Sequence, residues 1–333
     1  MTSRRLPGLA AALLLAGLAP FRAEAQTSLG SQRVGTSAGT FLKIGVGARP
    51  VGMGGAFVAV ANDPTTIYWN PAGIAGLLRN QVIVSHTDWP AEIDYEFVAA
   101  ILPVSKLGGS IGVQIGSLRT DLNETTELQP YGTGRTFTYT DYVAGLSYGR
   151  RFTDKLLIGG TFKYIHENLG LDVGGTTVNT WLIDVGSIYY IGYGSLRIGV
   201  ALANFGPDFS PSGEYTAPSG SEVRDYDSFN PPTQFRWGVA WEPIENDDMA
   251  LTTALEVSQP ADNNQAYKAG LEWSIRRTVA LRTGYDFNAD ALNWSAGAGV
   301  TGDVGVLRGT VDYAFTDGQE LGTIHQFTVG VRF

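Results

Sequence analysis

The sequence predicts an all-β fold: an antiparallel transmembrane β-barrel of about fourteen strands, with an N-terminal hatch segment in its lumen. Three observations lead there. Beyond Asn80 the chain divides into segments of roughly ten to fourteen residues in which apolar and polar residues alternate, the period of a strand with two unlike faces. Charged residues make up only 17%, against roughly 25% in ordinary soluble domains, yet mean hydropathy is −0.01 and no second long apolar run follows the N-terminus. Finally, the last segment alternates strictly and ends in phenylalanine: Phe327, Val329, Val331 and Phe333 against Gln326, Thr328, Gly330 and Arg332. A helical membrane protein would show continuous apolar spans. A barrel hides its apolar face in alternation.

The first 25 residues read as a cleaved signal peptide. Arg4 and Arg5 precede an apolar run from Leu9 to Leu18, and Ala23-Glu24-Ala25 supplies the small-x-small cleavage pattern. The run is too short for a membrane anchor, which needs about 20 residues. No cysteine occurs anywhere, so neither a lipid anchor nor a disulfide is available, and stability must come from burial or from the membrane.

Residues 26–79 form the expected hatch or plug, and residues 80–333 the barrel. Gly45, Gly47, Gly52, Gly54 and Gly55 crowd the plug, followed by Asn62-Asp63-Pro64 and Trp69-Asn70-Pro71-Ala72-Gly73. Asn70-Pro71 sets a turn, because proline fixes its own φ and pushes its predecessor extended. Pro71 suits the first turn of a short helix running toward Leu77. Such irregular backbone can sit at membrane depth only where protein surrounds it.

The expected strands lie at approximately 80–89, 94–103, 108–119, 138–152, 155–168, 178–191, 194–204, 233–243, 249–259, 264–276, 277–288, 292–302, 304–316 and 322–333. The connections tend to alternate long and short. The longest, 120–137 and 205–232, share one parity, while Thr153-Asp154, Gly192-Tyr193, Arg276-Arg277 and Asp303 are tight turns of the other. Outer-membrane barrels have long outer loops, short periplasmic turns and an even strand count. The bacterial outer membrane, and its lipid as a partner, follow as expectations. The first and last strands should pair, which would bring the His86 region near His325.

Alternation also sorts side chains. Phe235, Trp237, Val239 and Trp241, and Tyr267, Ala269, Leu271, Trp273 and Ile275, belong outside. Arg197, Arg236, Lys268, Glu272, Arg282, Asp286, Arg308, Asp312 and Arg332 are expected to face the lumen. Arg49 could then anchor the plug to Glu272 or Asp286. Phe327 and Phe333 on the terminal strand resemble the signal that barrel-assembly machinery recognises in its clients.

The stretch Phe41-Leu42-Lys43-Ile44-Gly45, Ala48-Arg49-Pro50, Gly52-Met53-Gly54-Gly55-Ala56, Asn62-Asp63 and Trp69-Asn70-Pro71-Ala72-Gly73 resembles the N-terminal block of the PorV/PorQ family. That family is in turn similar to the FadL-type long-chain fatty acid transporters. The dense match covers about 35 residues, and beyond it only the architecture agrees. The resemblance implies a non-enzymatic outer-membrane protein. It implies a role in type IX protein secretion, binding exported cargo or secretion-system partners, or alternatively in passive transport of a hydrophobic small molecule.

Other chemistries lack support. A net charge of −9, with the acid concentrated in loops, argues against nucleic acid. Gly108-Gly109-Ser110-Ile111-Gly112 and Gly145-Leu146-Ser147-Tyr148-Gly149 match a hydrolase elbow by string, but both fall on strands rather than on a strand-to-helix corner. His86, His166 and His325 have no metal spacing and lie toward the outer strand ends. Asp208, Glu214, Glu222, Asp225 and Asp227 could offer carboxylates to Ca²⁺, but without a fixed-position motif they read as a solvated loop. The glycine cluster lacks the Lys-Ser/Thr of a phosphate loop. No cofactor is expected.

Overall fold

Fourteen antiparallel strands close on themselves in the computed structural model, which describes residues 34–333 apart from 126–127, 171–174, 217–222 and 290. The expected signal peptide and Glu222 lie outside the described residues. The wall is β1 (Gln81–Trp89), β2 (Ile93–Val104), β3 (Gly109–Asn123), β4 (Thr136–Arg151), β5 (Leu156–Leu169), β6 (Thr176–Tyr190) and β7 (Arg197–Phe205). After a long connection it continues with β10 (Gln234–Glu245), β11 (Met249–Pro260), β12 (Ala266–Ile275), β13 (Val279–Asp286), β14 (Trp294–Val304), β15 (Leu307–Asp317) and β16 (Thr323–Arg332). β1 pairs antiparallel with β16 from Gln81–Arg332 to Asp88–His325, so neither the first nor the last strand is left as an open edge.

Two differences from the sequence reading have a simple cause. β3 runs four residues beyond its expected end at 119 and β4 starts two residues early, because Asp121 and Asn123 continue the ladder beyond the apolar belt, where alternation stops. Within the connection read as a loop, Glu214–Thr216 (β8) and Val223–Asp225 (β9) form a small separate hairpin. Strands of three residues are too short to show a period.

Alternation is set by the two surroundings. On β12, Tyr267, Leu271 and Trp273 are exposed on the outer face, whereas Gly270 and Glu272 are buried inside. On β16, Phe327 and Val329 face out, while Gln326 and Thr328 are buried.

The interior is filled by the N-terminal segment. It makes a 3₁₀ turn at Thr40–Lys43, a helical turn at Ala48–Gly52, another at Thr66–Trp69 and a 3₁₀ run at Pro71–Gly76, which Asn70 caps by accepting from the Ala72 N–H at 3.1 Å. Ala48–Gly52 packs on β13–β16 and Pro71–Gly76 on β3–β6. Phe41, Val46, Ile67 and Ile74 join Tyr95, Phe97, Ile101, Val143, Ile165 and Leu182 of the wall in one buried apolar cluster. Wall glycines admit this backbone: a Cβ on Gly284 would overlap the Gly54 N, and one on Gly159 would overlap the Pro71 carbonyl.

Leu255 lies midway along β11, exposed on the outer face. Leu255→Arg is expected to cost about 2–4 kcal/mol, the penalty for arginine at a bilayer midplane, measured by urea unfolding from lipid vesicles. A neutral result would remove Leu255 from the lipid-facing belt.

Candidate functional site

A segment with little regular structure has many backbone groups to satisfy, and here the lumen wall supplies the partners. The Glu256 carboxylate accepts from the N–H groups of Phe57 and Val58 at 2.9 and 2.8 Å. Thr328 Oγ1 accepts from Ala48 N at 2.9 Å, and Ser295 Oγ from Gly54 N at 3.0 Å. Gln326 donates to the Gly45 carbonyl at 3.0 Å, and Arg197 to the Ala59 carbonyl at 2.7 Å. Asn70, fully buried, donates to the Val58 carbonyl within the segment and to Ser187 O on β6.

Charge fixes the position of the segment. Arg49 makes a two-pronged contact with Glu272, Nε and Nη2 each 2.7 Å from a carboxylate oxygen. Its Nη1 donates to Asn62 at 2.6 Å and Asp63 at 2.8 Å. Glu272 is held from its other side by Arg282 at 2.6 Å, which reaches Asp312 at 2.6 Å. Burial by itself disfavours the charge on Arg49, but the Glu272 and Asp63 carboxylates outweigh it and hold the guanidinium more firmly protonated than a free arginine. Of the two carboxylates suggested for Arg49, the structure brings Glu272; Asp286 instead faces Lys268 at 3.8 Å.

The remaining singled-out residues divide among three places. Gly52, Gly54 and Gly55 sit where the segment meets β13–β15, Lys268 and Trp69, the last two glycines at φ 68° and 71°. Trp69 donates to the Val46 carbonyl at 2.8 Å, and the Arg236 guanidinium stacks 5.0 Å from its ring and 5.3 Å from that of Tyr68. A Cβ on Gly73 would meet Thr66 and the Ala61 carbonyl, so the Pro71–Gly76 turn folds tightly on Thr66. Arg197 also pairs with Glu242 at 2.8 Å. Arg308 and Arg332 stand at the short-turn mouth. Phe327 and Phe333 are half-exposed on the outer face, the latter donating its backbone N–H to Asn80 O at 3.0 Å.

Sequence reasoning missed Glu256, Asp262, Ser295 and Thr328 as partners of the segment. Glu256 carried a legible signal, a lone acid on the inner face of β11 between Ala254 and Ser258. Asp262, which accepts from Ser37 and Lys43, lies in a connection and carried none.

Two cavities flank the segment. One of about 390 Å³ opens toward the short turns, with Arg49, Asp63, Glu272, Arg282 and Asp312 in its lining. The other, about 150 Å³, lies toward the long loops and is lined by Tyr68, Trp69, Trp89, Lys268 and Asp286.

The other candidate chemistries meet no partners. Ser110 donates to the Leu77 carbonyl and Ser147 bonds Thr161. His86, His166 and His325 pair singly with Glu96, Asn179 and Tyr313. Among the described residues no three His, Cys, Asp or Glu side chains could hold a metal ion.

Fold and interior together define a membrane-type β-barrel with an occupied lumen. The chain belongs to the uncharacterised protein family UPF0164, whose profile matches residues 17–333. No curated protein matches it. Among solved structures it is similar to the Ralstonia pickettii toluene transporter TbuX (TM-score 0.52, 13% identity, covering 86% of this chain and 97% of that one). It is also similar to the Pseudomonas putida toluene transporter TodX (0.51, 11%, 86% and 97%) and to a deletion mutant of the TodX monoaromatic hydrocarbon channel (0.54, 13%, 86% and 98%). At these identities the likeness is one of fold.

Arg49→Gln leaves Glu272 to Arg282 alone. Breaking a buried pair in this way costs about 3–5 kcal/mol. The expected result is higher ion conductance in planar bilayers, with the barrel still folded by its heat-shifted mobility in gels. Unchanged conductance would show that the other wall contacts hold the segment without the clamp.

Proposed function

We propose that this protein lies in the bacterial outer membrane and passes small apolar molecules around its N-terminal plug, leaving through a seam in the wall between β6 and β7. The reading is supported chiefly by that seam. The two strands pair only from Ile183–Phe205 to Tyr190–Arg197, with a register slip between Ile183 and Val185. β7 stops at Phe205, so residues 178–182 of β6 have no ladder partner on that side among the described residues. Asn204 takes φ 58° and donates its N–H to Asp184 at 2.7 Å, and Lys163 holds Asp184 at 2.7 Å.

Inside the seam lie Phe41, Val178, Leu182 and Phe209, all buried; outside it Trp181 and Phe205 are half-exposed. An apolar solute would therefore meet apolar side chains on both sides of the wall, whereas both vestibules are lined with charge. Solved barrels of similar fold described as toluene transporters and hydrocarbon channels agree with this use.

A second reading rests on the Phe41–Gly73 block and its resemblance to PorV/PorQ proteins: the closed barrel would dock exported cargo or secretion-system partners rather than conduct. Cargo recovered with the intact chain, together with no uptake activity, would favour it.

The chain has no cysteine, so a disulfide joining Ile183→Cys and Phe205→Cys would be its only one. Closing it is expected to slow uptake of radiolabelled toluene into proteoliposomes at least tenfold, and reduction should restore the rate. Equal uptake in both states would exclude the seam. A large steady conductance of the intact protein would make it a general porin and overturn both readings.

A further inference from the structure

Four arginines at the short-turn end break local rules. The β12–β13 hairpin turns through Arg276 and Arg277, both left-handed at φ 50° and 54°, with the Thr278 N–H bonded to the Ile275 carbonyl at 3.0 Å. That turn ordinarily uses Asn-Gly, since other side chains are strained at positive φ. On the neighbouring strands Arg308 stands directly opposite Arg332, and like charges in that position repel.

Both departures converge on the 390 Å³ cavity, which Arg277, Arg308 and Arg332 line. The acids in its lining are already engaged: Glu272 by Arg49 and Arg282, Asp312 by Arg282, and Asp63 by Arg49. Five arginines and three acids line this space, and the surplus lies at the mouth. Arg308 has only the exposed Asp303, at 3.9 Å, and its Nη2 donates to the Arg277 carbonyl at 3.0 Å. Neither Arg277 nor Arg332 has an acidic partner among the described residues. Thr278, Thr301 and Thr310 add hydroxyl groups to the same lining.

We infer that this cavity is a binding site for a small soluble oxyanion, a carboxylate- or phosphate-bearing solute, held by Arg277, Arg308 and Arg332. Planar guanidinium forks match the geometry of both groups, and the volume falls within the usual range of small-molecule pockets, roughly 300–1,000 Å³. A bound anion relieves the repulsion between Arg308 and Arg332 and gives Arg277 a reason to occupy a strained turn. The site does not depend on the transport reading. It faces the lumen, across the wall from lipid.

The test is calorimetric titration of the full chain in phosphatidylcholine nanodiscs, in low-salt buffer, with inorganic phosphate and separately with benzoate. At least one probe should bind. Its affinity should fall tenfold or more in R308Q/R332Q and stay unchanged in R119Q, an exposed arginine at the opposite end. Should the double variant fail to assemble, R277Q alone should still weaken binding severalfold. No binding of either probe, or equal affinity in the variants, would overturn the site. Loss of the signal when phosphatidylglycerol replaces phosphatidylcholine would make a lipid headgroup the occupant and overturn the soluble solute.

Discussion

The structure depends on one constraint: a backbone N–H or C=O removed from water needs a partner, since an orphan costs several kcal/mol in hydrocarbon. The wall meets it by closing β1 on β16. The N-terminal segment cannot meet it alone, because its longest helical run is six residues. It borrows side-chain partners from the lumen: Glu256, Ser295, Gln326, Thr328 and Arg197 each serve a backbone atom of residues 45–59. Wall and segment are therefore two halves of one hydrogen-bonding scheme.

Within that scheme the two sides of the lumen differ in emphasis, although β4–β6 also bury Asp141, Lys163, Glu167 and Asp184. Along β1–β6 the wall turns Tyr95, Phe97, Ile101, Val143 and Ile165 inward, and the segment answers with Phe41, Ile67 and Ile74. Along β10–β16 the wall turns charges inward, and the segment answers with Arg49 and with backbone amides. The apolar side supplies burial, at about 25 cal/mol per Å². The charged side supplies position: a buried ion pair gains little net stability, but a misplaced partner leaves a charge uncompensated. The chain Asp63–Arg49–Glu272–Arg282–Asp312 thus selects one placement of the segment rather than adding much to its affinity for the wall.

Glycine connects the two sides. The 43 glycines in 333 residues are not only turn formers. Several face the lumen, where a methyl group would collide with the segment: Gly159 at Pro71, Gly199 at Val58, Gly270 at Met53 and Gly284 at Gly54. Removing side chains from the wall brings backbone against backbone, with cavities left on either side of the segment.

The sequence by itself determined the barrel, its strand number and its closure, because a strand reports its two surroundings locally, residue by residue. Even polar ends such as Asp121–Asn123 were missed only where those surroundings became the same. What it could not determine were the partners across the lumen. Arg49 and Glu272 are 223 residues apart, and Ser37, Lys43 and Asp262 meet across a similar span; nothing in their neighbours distinguishes these pairings from Arg49 with Asp286. The β6–β7 seam and the facing arginines at 308 and 332 were equally hidden, since both arise from register. Register is set where strands meet, by packing and hydrogen bonding with neighbours distant in sequence, so only the tertiary structure decides it.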